Sequence, residues 1–111
     1  MINIDSKNVE KKLYNEIENT GKVAVLTFYA VFNKEKCESC IKEMAELEKK
    51  FENTAVFFQY DCTNDYYRME KYNIVDLPSV YIFNKNGIID SFPFWNVNTV
   101  SDLINKALKK K

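Results

Sequence analysis

The spacing of hydrophobic residues changes several times along the chain, and each spacing predicts one type of element. Between Ser6 and Gly21 the apolar residues recur every four positions, at Val9, Leu13 and Ile17, as on the buried face of a helix. A glycine directly after such a stripe commonly ends the helix. Because Ile2 and Ile4 predict a short edge strand before this helix, we expect the chain to begin strand, then helix.

The residues from Lys22 to Phe32 predict the central strand of a sheet. Their core, 23–30, is apolar at nearly every position, without the alternation that leaves one face in water. Continuous apolar runs are typical of strands that are covered on both faces. We therefore expect helices on both sides of this strand.

Helical spacing returns at Cys37. The apolar stripe of this second helix consists of Cys40, Ile41, Met44, Ala45, Leu47 and Phe51, and we expect Met44 and Phe51 to be core residues. Another apolar strand follows at Ala55 to Tyr60, and a short helix capped by Asn64 is predicted over 64–72.

The last part of the chain predicts a hairpin and a terminal helix. The residues 80–83 and 88–89 are apolar and flank 84–87, where the Asn86-Gly87 pair indicates a tight turn. Thr99 and Asp102 are spaced as the start of a capped helix that ends near Leu108. The order β-α-β-α-β-α-β-β-α predicts an α/β fold whose mixed sheet has helices on both faces.

Composition limits the classes of function. The chain has 111 residues, 46% of them hydrophobic, which fits one domain spanning 1–111. The 16 basic residues cancel the 16 acidic ones, so no net charge draws the molecule to nucleic acid or to an anionic membrane. No stretch reaches the roughly 18 apolar residues of a membrane span, and the charged start of the chain does not resemble a secretory signal. We expect a cytoplasmic monomer.

Three cysteines and no histidine restrict the chemistry of the chain. The missing histidine removes the usual general base and the usual metal ligand. A zinc site would require Cys62 to approach Cys37 and Cys40, because zinc takes at least three protein ligands. We expect no metal and no cofactor, which leaves chemistry on thiols and carboxylates.

The motif Cys37-Glu38-Ser39-Cys40 lies between the predicted central strand and the second helix. At a helix start, unpaired N–H groups and the helix dipole favour a thiolate, so Cys37 is the predicted nucleophile. Cys40 follows three residues later on the same side of the first turn and can attack a mixed disulfide at Cys37. This arrangement predicts thiol–disulfide exchange.

The sequence resembles the thioredoxin family from about Ile4 to Leu108. The matching features, in chain order, are Tyr29-Ala30, the motif 37–40, Asp61 and Leu77-Pro78-Ser79. The resemblance implies a thioredoxin fold in which Pro78 is cis, stands against the cysteine pair and presents the Leu77 backbone to an extended substrate segment. It also implies protein disulfide substrates and a reductase that recharges the dithiol.

The chain departs from the family pattern in the surroundings of the motif. Six residues, 31–36, separate Tyr29-Ala30 from Cys37 where the family has two, which predicts a longer active-site loop. Thr27 occupies the position at which thioredoxins bury an aspartate. Phe57 resembles the position of the lysine that neighbours this aspartate on the third strand. These departures leave a non-catalytic binding module on the same fold as the alternative function.

Two further features have both a structural and a functional interpretation. Cys62 is either a small residue at the end of a strand or a regulatory or dimer-forming thiol. The aromatic run that contains Trp95 either fills the core or forms a substrate-contacting rim, since partly exposed tryptophan anchors interfaces well.

Overall fold

The computed structural model describes residues 1–4, 8–93 and 96–109, and within them the predicted order of strands and helices is confirmed. The elements are β1 (Ile2–Ile4), α1 (Val9–Thr20), β2 (Val23–Tyr29), α2 (Lys34–Lys50), β3 (Ala55–Asp61), α3 (Tyr66–Lys71), β4 (Ser79–Asn84), β5 (Gly87–Pro93) and α4 (Val97–Lys109).

The five strands form one mixed sheet in the order β1-β3-β2-β4-β5. The strands β1, β3 and β2 are parallel to one another, and β4 and β5 are each antiparallel to the preceding neighbour in the sheet. Crossover helices join the parallel strands, and a tight turn joins the antiparallel pair, as such connections require. The α/β class and the mixed sheet are as the sequence predicts.

The central strand β2 separates two hydrophobic cores. Its residues Ala24, Leu26 and Phe28 pack on the side of α1 and α3. Its residues Val23 and Val25 pack on the side of α2 and α4. Because every residue from Val23 to Phe28 is fully buried, the prediction of a strand covered on both faces is confirmed.

Local backbone geometry explains two of the predicted turns. Gly21 ends α1 in the left-handed conformation, at φ 70°, and its N–H donates to the carbonyl of Ile17 over 2.9 Å. In the hairpin, Asn84 pairs with Gly87, and the Asn84 side chain accepts from the N–H of Asn86 over 2.8 Å. The predicted helix start at Ser6 lies outside the described residues.

Two predicted boundaries near the motif are wrong. The central strand ends at Tyr29 rather than at Phe32, and the second helix begins at Lys34 rather than at Cys37. A short 3-10 turn, Val31–Asn33, joins them. The strand was predicted too long because Val31 and Phe32 are hydrophobic. In the structure they are 62% and 68% exposed and belong to neither core.

The predicted helix caps are also corrected. Asp65, not Asn64, caps α3, and its carboxylate accepts from the N–H of Arg68 over 3.0 Å. The helix α4 begins at Val97, and Asn96 rather than Thr99 supplies the cap by accepting from the N–H of Thr99 over 2.9 Å. In both cases two adjacent or nearby side chains could cap the helix, and the sequence alone does not distinguish them.

Candidate functional site

Cys37 and Cys40 lie on one face at the start of α2 and both are free thiols. Cys37 is 3% exposed and Cys40 is fully buried in the core that α2 shares with α4. Residues three apart on a helix are neighbours, so the two sulfur atoms belong to one site. The predicted pairing of these two side chains on one helix face agrees with the structure.

The surroundings of Cys37 differ from the expectation in one respect. The helix begins one turn earlier than predicted, because Lys34, Glu35 and Lys36 are strong helix formers and extend it towards its N-terminus. The unpaired N–H groups of the helix start therefore belong to the residues before Cys37. The predicted longer loop is instead the 3-10 turn followed by the first turn of α2.

Burial gives Cys40 the properties of a thiol that reacts second. Burial, followed by the nearby Cys37 and Glu43, raises the pKa of Cys40 to about 12. A buried thiol with a raised pKa remains protonated at neutral pH. Cys40 therefore remains protonated until a mixed disulfide forms at Cys37.

The third cysteine lies at the same end of the sheet as the motif. Both the N–H and the thiol of Cys62 donate to the carbonyl of Tyr29, over 2.9 and 3.3 Å. Burial, then Asp61, raises the pKa of Cys62 to about 11, with a smaller contribution from Cys37. This proximity was predictable from the sequence, because Cys62 follows β3, the motif follows β2, and the carboxyl ends of adjacent parallel strands meet at one edge of the sheet.

The loop before β4 reaches the same end of the molecule. The Leu77–Pro78 peptide bond is cis, and both residues are buried. Leu77 packs in one cluster with Cys62 and Ala30, the residue that follows β2. The structure therefore brings Leu77 to the end of the sheet where the cysteines lie, whereas Trp95 lies outside the described residues.

An ion-pair network missed by sequence reasoning fixes the helix before this loop. Arg68 on α3 binds Glu10 on α1 and Asp65, each over 2.8 Å, and Tyr72 donates a further hydrogen bond to Glu10. Burial alone would raise the pKa of Glu10, but the hydrogen bonds from Arg68 and Tyr72 outweigh it and lower the pKa to about 2. We call these four residues the α1–α3 clamp.

Five exposed apolar side chains lie in the segments that follow β2, that follow β3 and that precede β4, at one end of the sheet. Val31 and Phe32 precede α2, two tyrosines open α3, and one valine precedes Leu77 in its loop. We call this set the apolar rim: Val31, Phe32, Tyr66, Tyr67 and Val75. Exposed apolar groups gathered in one region are typical of surfaces that bind other proteins.

The register of the sheet shows which residue of β3 pairs with Thr27. Thr27 pairs with Gln59 on β3, whereas Phe57 pairs with Val25, so Gln59 and not Phe57 is the neighbour of Thr27. Thr27 is fully buried. Among the described residues, the oxygen atoms Thr27 Oγ1 and Gln59 Oε1 are the buried side-chain polar atoms that have no hydrogen-bond partner.

The part of the chain that the structure describes is residues 1–4, 8–93 and 96–109. No three cysteine, aspartate or glutamate side chains of that part converge in a way that could hold a metal ion. No helix within the same ranges is both long and apolar enough to cross a membrane.

Comparison with known proteins gives a family and a fold. The family model described as Thioredoxin matches residues 5–108, while no curated protein sequence matches the chain. The germline-specific thioredoxin Deadhead of Drosophila melanogaster superimposes with a TM-score of 0.80 at 22% identity, over 96% of this chain and 98% of that one. The thioredoxin of Fasciola hepatica gives 0.78 at 20% identity, over 96% and 98%. That of Schistosoma mansoni, in its reduced form, gives 0.79 at 22% identity, over 95% of each chain.

Proposed function

Because the chain belongs to the thioredoxin family, we propose that it is a thiol–disulfide oxidoreductase that exchanges disulfides with protein partners through Cys37 and Cys40. The observation that carries this proposal is the pair of free thiols three residues apart on one face of α2. A pair in this arrangement can both attack a disulfide and close one.

The proposed reaction has two steps that balance in atoms and electrons. The Cys37 thiolate attacks one sulfur of the partner disulfide, which forms a mixed disulfide and releases the other partner sulfur as a thiolate. Cys40 then loses its proton to solvent and attacks the sulfur of Cys37, which releases the second partner sulfur as a thiolate. The partner leaves reduced, the pair is left as a Cys37–Cys40 disulfide, and a reductase returns it to the dithiol.

Protein substrates, rather than small disulfides, are supported by the exposed apolar side chains at the end of the sheet where the cysteines lie. The apolar rim can cover apolar side chains of a partner, and burial of such groups is the main source of affinity in interfaces. Leu77 and Pro78 precede β4 at the same end, and we propose that the Leu77 backbone binds an extended segment beside the disulfide. We also propose Trp95 as a contact with that segment.

One observation favours the alternative, a binding module without catalysis. Cys37 is only 3% exposed, whereas an attacking thiolate must reach a sulfur atom of another molecule. Under this alternative the apolar rim would bind partners while the cysteines only fill the core. Exchange activity separates the two functions, because a binding module needs no thiol.

The test is reduction of the insulin disulfides by the purified protein in the presence of a dithiol. We expect turnover by the wild type, because the pair can complete both steps, and none by Cys37→Ser. The Cys40→Ser variant is expected to accumulate a covalent complex with the substrate, since the first step remains and the second is lost. The matched control is Cys62→Ser, which removes a buried thiol outside the motif and is expected to retain turnover.

The alternative makes the opposite prediction for the same proteins. If the wild type shows no turnover and Cys40→Ser captures nothing on non-reducing gels, the chain is a binding module. Circular dichroism of each variant shows whether a loss of activity is a loss of fold.

A further inference from the structure

A row of polar side chains crosses the sheet at one register. Asn3 on β1 pairs with Gln59 on β3, which in turn pairs with Thr27 on β2. Along this row the residues change from exposed Asn3 through half-buried Gln59 to fully buried Thr27. Because neighbours of Thr27 and Gln59 along their strands, Val25 and Phe57, pack with α2 and α4, the row lies on the face that those helices cover.

The inner end of this row is unsatisfied by the protein. Thr27 Oγ1 and Gln59 Oε1 are both buried, and neither has a hydrogen-bond partner among residues 1–4, 8–93 and 96–109. A buried polar atom without a partner destabilises the folded state, and where the protein supplies no partner an ordered internal water commonly does. The two atoms belong to residues that pair across adjacent strands, so one water can bind both.

The lengths of α2 and β2 put Cys40 level with these two residues, on the face of the sheet that α2 covers. The N–H of Ala55 donates to the carbonyl of Phe51 over 2.9 Å, and Ala55 pairs with Val23, so the end of α2 is level with the start of β2. Between Phe51 and Cys40 the helix rises about 16 Å, which corresponds to about five residues of strand. Cys40 therefore lies level with the far end of β2, where Thr27 is the fully buried residue on the same face.

We propose that Thr27 and Gln59 hold a buried water that donates a hydrogen bond to the Cys40 thiolate during release of the mixed disulfide. The inference deepens the proposed function and rests on it. The Thr27 hydroxyl donates to the water, and the water donates one hydrogen to Gln59 Oε1 and the other to the sulfur of Cys40. Every group of the set then has a partner, and Thr27 and Gln59 are positioning residues.

The bonding changes of the release step remain those of the proposed reaction. The proton of Cys40 leaves to solvent, the sulfur–sulfur bond between Cys37 and the partner breaks, and the bond between Cys40 and Cys37 forms. The water keeps both of its hydrogens throughout. Its contribution is to stabilise a negative charge that forms in a buried place, where desolvation otherwise opposes it.

The experiment compares wild type with Thr27→Val, which keeps the shape of the side chain and removes the hydroxyl, and with Thr27→Ser, which keeps the hydroxyl. Cross-relaxation between water and the amide protons near Thr27 measures a long-lived internal water by NMR. We expect it in the wild type and in Thr27→Ser, and we expect it to be lost in Thr27→Val.

The role of the water is measured by titration of Cys40 and by rapid kinetics. In proteins that carry Cys37→Ser, NMR titration of labelled Cys40 is expected to show an upward shift of its pKa with Thr27→Val and none with Thr27→Ser. Glu43, the remaining charged group that acts on Cys40, is the same in all three proteins. In stopped-flow measurements with Cys37 intact, Thr27→Val is expected to slow the second phase about tenfold and to leave the first phase unchanged.

Two results would overturn the proposal. One is the absence of a long-lived water in the wild type together with an unchanged titration of Cys40 in Thr27→Val. The other is a clear gain in the free energy of unfolding with Thr27→Val, since removal of a hydroxyl that has no partner stabilises a protein. None of these measurements uses a disulfide substrate. They therefore test the water site even if the protein has no exchange activity.

Discussion

The thiols of Cys40 and Cys62 are buried and lose their protons less readily than a free thiol does. Cys40 and Cys62 are fully buried, and Cys37 is 3% exposed. Burial raises the pKa of Cys40 to about 12 and that of Cys62 to about 11. Since only the thiolate attacks an electrophile, Cys40 and Cys62 are poor first nucleophiles.

We therefore expect iodoacetamide at neutral pH to modify Cys37 faster than Cys62. The thiol of Cys62 also donates to the carbonyl of Tyr29, and this bond must break before the sulfur reacts. Alkylation rates for each cysteine, obtained from digests by mass spectrometry, test the order. A faster reaction at Cys62 would identify it as the nucleophile in place of Cys37.

At this scale the sequence predicts the reactive pair but not its neighbours. Spacing alone places Cys37 and Cys40 on one helix face, because the helical repeat is the same in every protein. The neighbour of Thr27 could not be found in this way, since Phe57 and Gln59 both point to that face and only the pairing register selects Gln59. That register is fixed where the chain leaves α2, by contacts such as the bond from Val23 N–H to the Thr54 carbonyl.

Among the elements, α3 is short and depends on contacts with α1 for its position. The α1–α3 clamp supplies them, and the segment that follows α3 leads directly to Leu77 and Pro78. The hydroxyl of Tyr81 on β4 donates to the carbonyl of Tyr72 at the start of that segment. The loop before β4 is thus held from a helix on one side and from a strand on the other.

We expect Glu10→Gln to lower the free energy of unfolding by about 1–2 kcal/mol at pH 7, after allowance for the partial exposure of the side chain. Because folding lowers the pKa of Glu10 from 4.5 to about 2, its ionised form stabilises the protein above pH 4.5. This contribution is lost as the pH falls towards 2. In urea unfolding of both proteins across this pH range, the difference between their free energies of unfolding is expected to become smaller as the pH falls.

The control for this measurement is Glu18→Gln, an exposed acid on the same helix. It changes the net charge equally but breaks no contact of the clamp, so its effect on the free energy of unfolding is expected to be small. A difference between wild type and Glu10→Gln that stays constant from pH 7 to pH 2 would mean that the charge of Glu10 does not hold α3.

The corrected cap of α4 gives a second test at the scale of elements. Asn96→Ala is expected to lower the free energy of unfolding by about 1 kcal/mol, the usual cost of losing an N-cap side chain, because Asn96 accepts from the N–H of Thr99. Asp102→Asn, at the other position of the predicted cap, is expected to have no measurable effect. Chemical denaturation of the two variants decides between the caps, and the reverse order would restore the predicted one.

The type and order of the elements were predictable because periodicity reports burial over many residues at once. Boundaries depend on single residues and were less predictable. Val31 and Phe32 resemble a strand by composition but lie exposed in a turn. The helix formers at 34–36 are visible in the sequence and favour an earlier helix start. The comparison with the family pattern predicted a loop at these positions instead.

For the whole molecule, β2 is the element that both hydrophobic cores share. Neither core can lose its packing without exposing one face of this strand. We therefore expect a single cooperative unfolding transition, with coincident midpoints in far-ultraviolet circular dichroism and in aromatic fluorescence. Separate midpoints would show that the two faces unfold independently and that 1–111 is not one cooperative domain.

The position of β5 at the outside of the sheet bears on behaviour in concentrated solution. An outermost strand offers unpaired backbone groups to which a strand of another molecule can add, which is a route to aggregation. Asp90 and Pro93 lie on β5, and its register with β4 is interrupted beside Ile82 and Phe83. Charge, proline and irregular pairing each hinder the addition of a further strand, so this side of the sheet is protected against growth into larger assemblies.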